Sequence, residues 1–276
     1  MAEIGKYNLL RIVKEVDFGL YLDGGEYGEI LLPKRYVPDN SNIDDEIEVF
    51  IYLDSNDRII ATTEEPFATV NEFAYLKVIA VNNIGAFLDW GLPKDLLVPF
   101  REQKQKMKQG SSYPVFIYFD SESQRLAASA KLDKFLDNLP HEYSPGQKVA
   151  LFIAEETELG YKAIINNKHW GIIYKNEVFR PIHPGQKLSG FIKKVRDDEK
   201  IDLSLEIQGH EKIDSLSQSI LDYLQNSGGY SPLNDKSPPE EIYKIFGMSK
   251  KTFKKAIGNL YKQKLITISP KGIKIL

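Results

Sequence analysis

Phe18-Gly19-Leu20-Tyr21-Leu22-Asp23 returns as Ile84-Gly85-Ala86-Phe87-Leu88-Asp89, 66 residues further along the chain. Two other segments keep the same spacing. Glu29-Ile30-Leu31-Leu32-Pro33 matches Asp95-Leu96-Leu97-Val98-Pro99, and Phe50-Ile51-Tyr52-Leu53-Asp54-Ser55 matches Phe116-Ile117-Tyr118-Phe119-Asp120-Ser121. Three ordered matches at one offset mark a duplicated unit. A more divergent third copy places Gly160 against Gly19, 141 residues on. It also places Arg196-Asp197-Asp198-Glu199-Lys200-Ile201 against Asp54-Ser55-Asn56-Asp57-Arg58-Ile59, 142 residues on.

Inside each copy the apolar residues alternate, as in Leu20 and Leu22 or Ala86 and Leu88. Polar clusters such as Ser55-Asn56-Asp57 separate the short apolar runs. The pattern predicts antiparallel strands joined by hairpins. About five strands in roughly 66 residues suit a small closed barrel, which removes exposed sheet edges, and the oligonucleotide-binding (OB) fold is the common five-stranded solution. The expected architecture is therefore mainly β. Three tandem five-stranded OB barrels span 1–66, 67–138 and 139–208, followed by an α+β module over 209–276.

That last module has a different period. From Glu211, residues Ile213, Leu216, Ile220, Leu221 and Leu224 recur three or four apart, up to the stop at Ser227-Gly228-Gly229. Tyr230 to Leu233 reads as a short extended stretch. Ser237-Pro238-Pro239-Glu240 opens a second helix, with proline in its first turn, and Gly247 closes it. Ser249 caps a third helix with Phe253, Ala256, Ile257, Leu260 and Tyr261 on one side. Leu265 to Ile268 and Gly272 to Leu276 form two strands joined through Ser269-Pro270-Lys271. Helix, short strand, helix, turn, helix and hairpin is the order of a winged helix.

Composition narrows the function classes. The chain has 276 residues, 42% of them hydrophobic and 27% charged, which is enough to build cores. It has no cysteine, which excludes disulfides, thiol nucleophiles and thiolate metal sites. No apolar run is long enough for a membrane span and the N-terminus lacks a signal core, so a cytoplasmic, membrane-independent chain is expected. Its formal charge of −3 is unevenly spread. Residues 1–66 hold 6 Lys and Arg against 15 Asp and Glu, whereas residues 211–276 hold 11 against 6. The basic end is where phosphate attraction is expected, and the acidic first barrel would oppose it.

The strand, Phe/Ile-Gly, aromatic-rich strand, Gly-containing turn and Asp-bearing hairpin resemble the RNA-binding repeat of the largest small-subunit ribosomal protein. Three such repeats followed by a winged helix resemble the conserved virulence factor B (CvfB) family of bacterial RNA-binding proteins, from about Lys6 to Leu276. The resemblance implies post-transcriptional control of gene expression by RNA binding. The repeats depart from the pattern at Ile84 and Leu159, which replace the aromatic Phe18, and at Lys162, which takes the outward aromatic position in the third copy.

By alternation Tyr21 and its equivalent Phe87 face outward between buried neighbours. Base stacking is one reason for such an aromatic, with Phe18 extending the platform; packing against a neighbouring barrel is the other. For Trp170, packing is the expected role. Lys34 and Arg35 follow the Pro33 strand, and Arg101, Lys104, Lys106 and Lys108 follow the Pro99 strand, as a rim for a nucleic-acid backbone. The third helix and hairpin of the C-terminal module add Lys250, Lys251, Lys254, Lys255, Lys262 and Lys271. The candidate RNA-binding set is completed by Lys162.

No catalytic constellation accompanies these residues. His141, His169, His183 and His210 lack metal-like pairing, and neither a phosphate-cradling Gly-rich loop nor a Gly-x-Ser-x-Gly elbow occurs. The sequence predicts a non-enzymatic protein with no metal or cofactor, whose partner is RNA, single-stranded in preference. Two other partners remain open: DNA through the winged helix, and a ribosomal or other protein for the acidic first barrel.

Overall fold

The computed structural model describes residues 2–175, 178, 181–205 and 215–276 and divides into two compact units, 1–205 and 206–276. The first unit contains three closed five-stranded barrels. In the first, β1 (Tyr7–Val16), β2 (Gly19–Asp23) and β3 (Glu29–Pro33) form a meander. It is joined by β4 (Glu46–Leu53) and β5 (Ile59–Thr62) in the order β1-β2-β3-β5-β4. The second barrel repeats this connectivity with β6 (Phe73–Val81), β7 (Gly85–Asp89), β8 (Leu96–Pro99), β9 (Ser112–Asp120) and β10 (Arg125–Ser129). The third does so with β11 (Lys148–Glu156), β12 (Gly160–Ile165), β13 (His169–Tyr174), β14 (Lys187–Val195) and β15 (Ile201–Ser204).

One feature differs from a chain of antiparallel hairpins. Each barrel closes through a parallel pair: Leu31 with Ile60, Leu97 with Ala127, and Ile172 with Asp202. Alternation reports which face a strand buries, not which distant strand completes the cylinder. The first strand of each barrel also carries a register shift at the same place, between Ile12 and Lys14, Val78 and Ala80, and Ile153 and Glu155. A bulge there bends a long strand around a small barrel.

Alternation fixes the interiors. Leu20, Leu22, Ile30 and Leu32 are buried in the first barrel, and Ala86, Leu88, Leu96 and Val98 in the second. Alternation fails in β4, where Val49 to Leu53 are all buried. Val49 and Ile51 fill the barrel. Phe50 and Tyr52 face the second barrel instead, where their rings meet Trp90 edge-on at 5.8 and 6.4 Å. The equivalent strand β9 does the same one barrel later. Phe116 stacks on Phe135 at 4.1 Å, in a cluster with Phe152 and Ile164 of the third barrel and a partly buried Trp170.

The second unit is built from α1 (Ser215–Asn226), β16 (Tyr230–Ser231), α2 (Pro239–Phe246), α3 (Lys250–Lys262), β17 (Ile266–Ser269) and β18 (Gly272–Ile275). Its sheet order is β16-β18-β17. Gly247 ends α2 in the left-handed conformation, and Ser249 Oγ accepts from the Thr252 N–H at the start of α3. Ile220, Leu224, Ile242, Phe253, Ile257, Leu260, Ile266 and Ile273 form its core. Two expected core residues do not join it. Leu216 is exposed because Ser217 takes the inward place in the first turn, its hydroxyl donating to the Ala256 carbonyl. Tyr261 is exposed because Leu260 and Leu265 fill that end of the core. Glu211, Ile213, His210 and the boundary expected near 208 lie outside the described residues. Among the described residues no helix is long and apolar enough to cross a membrane.

Candidate nucleic-acid interface

The repeated glycine is the geometric start of the outward face. A Cβ on Gly19 would lie 2.1 Å from the Leu32 carbonyl oxygen, on Gly85 2.2 Å from that of Val98, and on Gly160 2.0 Å from that of Ile173. Only glycine lets the second strand of each barrel begin this close to the third. Just outside this contact, the carbonyls of Phe18, Ile84 and Leu159 accept from the N–H groups of Lys34, Phe100 and Lys175. The same backbone frame therefore presents two exposed positions in each barrel. They are Phe18 with Lys34, Ile84 with Phe100, and Leu159 with Lys175. Phe100, 43% exposed, restores on one side of that hydrogen bond the aromatic that Ile84 removes on the other. Sequence reading missed it, because its counterpart in the first barrel is a lysine. The 66-residue offset itself was the signal that finds it.

In the first barrel Tyr21 is half-buried between Leu20 and Leu22, with Phe18 edge-on at 6.4 Å and Lys14 Nζ 5.4 Å from its ring centroid. Lys34 is exposed, and the exposed Arg35 guanidinium lies 4.5 Å from the Tyr36 ring. These aromatics are displayed on a barrel rich in carboxylates.

The second barrel offers a defined recess. Phe87, opposite Leu97 in the β7–β8 pair, lines a cleft of about 450 Å³ together with Ile84, Trp90, Arg101 and Arg125, and with Asp57 from the first barrel. Trp90 forms part of the wall because its indole N–H donates to the Lys94 carbonyl at 2.6 Å while its ring packs on Phe50. Arg101 lies 3.8 Å from both Asp120 and Glu122, and Lys104 lies 3.8 Å from Glu155 of the third barrel. Lys106 and Lys108 are exposed. The loop is anchored by Glu102, a buried carboxylate that accepts from Ser129 Oγ at 2.6 Å and from Lys134 Nζ at 2.8 Å. Burial raises its pKa, but the hydrogen bonds from Lys134 and Ser129 outweigh that effect and hold the carboxyl below its ordinary value.

The third barrel treats its face differently. Lys162 occupies the position of Tyr21 and Phe87, yet it folds over Trp170 at 3.7 Å from the ring centroid and lies 3.7 Å from Asp133 of the preceding segment. Trp170 Nε1–H donates to the same carboxylate at 2.9 Å. Lys162 and Trp170 thus line a second cleft, of about 480 Å³, at the junction of the second and third barrels. His169 is buried: its Nε2–H donates to the Leu139 carbonyl at 2.8 Å and its Nδ1 accepts from the Tyr143 hydroxyl at 3.0 Å. Among the described residues no group of three or more His, Asp or Glu side chains could hold a metal ion.

In the winged-helix unit α3 buries Phe253, Ala256, Ile257 and Leu260 and presents Lys251, Lys254, Lys255 and Lys262 to solvent. Lys250 Nζ donates to the Lys236 carbonyl and Lys254 lies 3.8 Å from Asp235. Lys271, at the turn of the hairpin, and Lys274 are exposed.

Comparison with known proteins gives this arrangement its relatives. The family model of the CvfB-like winged helix domain matches residues 218–275, and that of the S1 domain matches residues 4–64 and 72–131. Conserved virulence factor B of Staphylococcus aureus strain N315 is 31% identical over 291 residues, covering 96% of this chain and 91% of that protein. This chain belongs to the conserved virulence factor B family. A family relative from Bacillus subtilis strain 168, the uncharacterized protein YitL, is 29% identical over 273 residues, covering 94% and 89% of the two chains. A crystal structure of a multidomain protein with nucleic acid binding domains from Streptococcus pneumoniae TIGR4 aligns at 25% identity. It covers 99% of this chain and 98% of that one, with a TM-score of 0.44. The S1 matches fall on the first two barrels of this CvfB-family chain, and the third barrel shares their strand order.

Proposed function

We propose that this CvfB-family protein is a non-enzymatic binder of single-stranded RNA that acts in post-transcriptional regulation of bacterial gene expression. The observation that carries the reading is Phe87: an outward aromatic on the second strand of an OB barrel, in a cleft bordered by Arg101, Arg125 and Lys94. An aromatic platform stacks on any unpaired base, and cations beside it hold the backbone. Phe18 and Tyr21 are a second, weaker platform, opposed by the acidity of their own barrel. Lys34, Arg35, Lys104, Lys108 and Lys162 supply further phosphate contacts. The α3 lysines and Lys271 add affinity that depends on salt rather than on sequence.

The test is fluorescence anisotropy of a short labelled single-stranded RNA with the intact protein, using single-stranded and duplex DNA of the same sequence as competitors. Unlabelled single-stranded RNA is expected to compete best, and Phe87→Ala to weaken binding by about 1–3 kcal/mol. Superior competition by duplex DNA would instead assign the chain to DNA through its winged helix. Absence of binding to all three would leave the acidic first barrel and a basic protein partner as the functional reading.

A further inference from the structure

Asp57 sits in the β4–β5 turn of the first barrel, but both of its cationic partners belong to the second. Lys94 Nζ is 2.9 Å from one carboxylate oxygen and Arg125 donates to the other. The carboxylate of the neighbouring Asp54 in the same turn is matched within its own barrel by Arg58 at 2.7 Å, while the Asp54 backbone carbonyl accepts from Lys94 Nζ at 2.6 Å. Asp57 is therefore an anion lent across a junction that Phe50, Tyr52 and Trp90 already hold by apolar packing. Asp57, Lys94 and Arg125 all line the cleft that contains Phe87.

A carboxylate accepting from one lysine and one arginine presents the oxygens and the charge that a phosphodiester would present there. We infer that Lys94 and Arg125 form a backbone-phosphate subsite of the Phe87 cleft, and that Asp57 of the first barrel occupies it as an intramolecular competitor. This rests on the reading of the Phe87 cleft as a nucleic-acid site and adds how that site is restrained. The Asp57 carboxyl is held below its ordinary pKa chiefly by the hydrogen bond from Lys94, so it is an anion at neutral pH. All three side chains are partly solvent-exposed, between 31% and 57%, so the contact is weak enough for a ligand to displace.

Asp57→Asn tests the idea with little structural disturbance. Residue 57 has φ of 58°, a region asparagine tolerates as well as aspartate, and the amide oxygen keeps a hydrogen-bond acceptor in place. In the intact protein Asp57→Asn is expected to tighten binding of a short single-stranded RNA by about two- to fivefold, the scale of one exposed ion pair. It should also steepen the slope of log K against log salt by about 0.7 for each cation that gains a phosphate. Adding Arg125→Gln should abolish the gain, and Glu26→Gln, the same charge change elsewhere in the first barrel, should produce none. Unchanged or weaker binding by Asp57→Asn overturns the competitor. So does a gain that survives Arg125→Gln or appears equally with Glu26→Gln. Phe87→Ala run in parallel separates the two readings: if it leaves affinity unchanged, the cleft itself fails; if it weakens binding while Asp57→Asn does nothing, only the competitor fails.

Discussion

A side chain at Gly85 would have to share space with the Val98 carbonyl oxygen, so this residue sets how closely β7 approaches β8 and where Phe87 emerges. Glu102 does comparable work for the loop that follows: it ties the segment carrying Arg101 and Lys104 to Ser129 and Lys134. Because the folded pKa of Glu102 lies below its ordinary value of 4.5, its contribution to stability is complete above that value and disappears as pH falls through the folded pKa. Glu102→Gln is expected to cost about 1–3 kcal/mol at neutral pH. The gap from wild type should close in acid, as measured by urea unfolding across the carboxylate range; a gap that is constant with pH would show that the charge of Glu102 is not what anchors the loop. Phe87 and Tyr21 were legible as outward aromatics because period two leaves them no other place between buried neighbours. Phe100 is legible only through the 66-residue offset that aligns it with Lys34, since nothing local distinguishes an exposed aromatic after a proline from one that packs.

At the scale of elements, α3 shows how far pattern carries. Its inward residues and its Ser249 cap follow from spacing and hydrogen-bonding chemistry, whereas the exposure of Tyr261 depends on how Leu265 returns to the core, which no helical period encodes. Barrel closure is similar: the hairpins are local, but the parallel pairing of β3 with β5 joins strands separated by a long connection and leaves no alternating signature. The exposed lysines of α3 yield a measurement that does not depend on such details. Replacing Lys251, Lys254 and Lys255 by alanine removes up to three phosphate contacts and should flatten the slope of log K against log salt by about 1.4–2.1. The lower figure applies if Lys254 stays engaged with Asp235. Equal slopes for variant and wild type in a salt titration would remove α3 from the binding surface.

Across the whole molecule, the residues that recur most faithfully do two different jobs. The Phe-Ile-Tyr of β4 and β9 reads in sequence as strand identity, yet its aromatics cement one barrel to the next, while the Gly-x-aromatic of β2 and β7 shapes an outward face. Trp90 and Phe87 stand three residues apart on either side of that division. Trp90 is 2% exposed, packed against Phe50 and Tyr52 and hydrogen-bonded to Lys94; Phe87 is half-buried beside open space. Truncating Trp90 to alanine should leave a cavity at the junction and cost about 3–5 kcal/mol. Truncating Phe87 should cost stability less than about 1 kcal/mol while weakening RNA binding by about 1–3 kcal/mol. Denaturant unfolding and anisotropy on the same two variants decide the matter. If Phe87→Ala destabilises the fold as much as Trp90→Ala does, its ring is part of the barrel packing, and the outward face of the second barrel has lost its claim to be a binding surface.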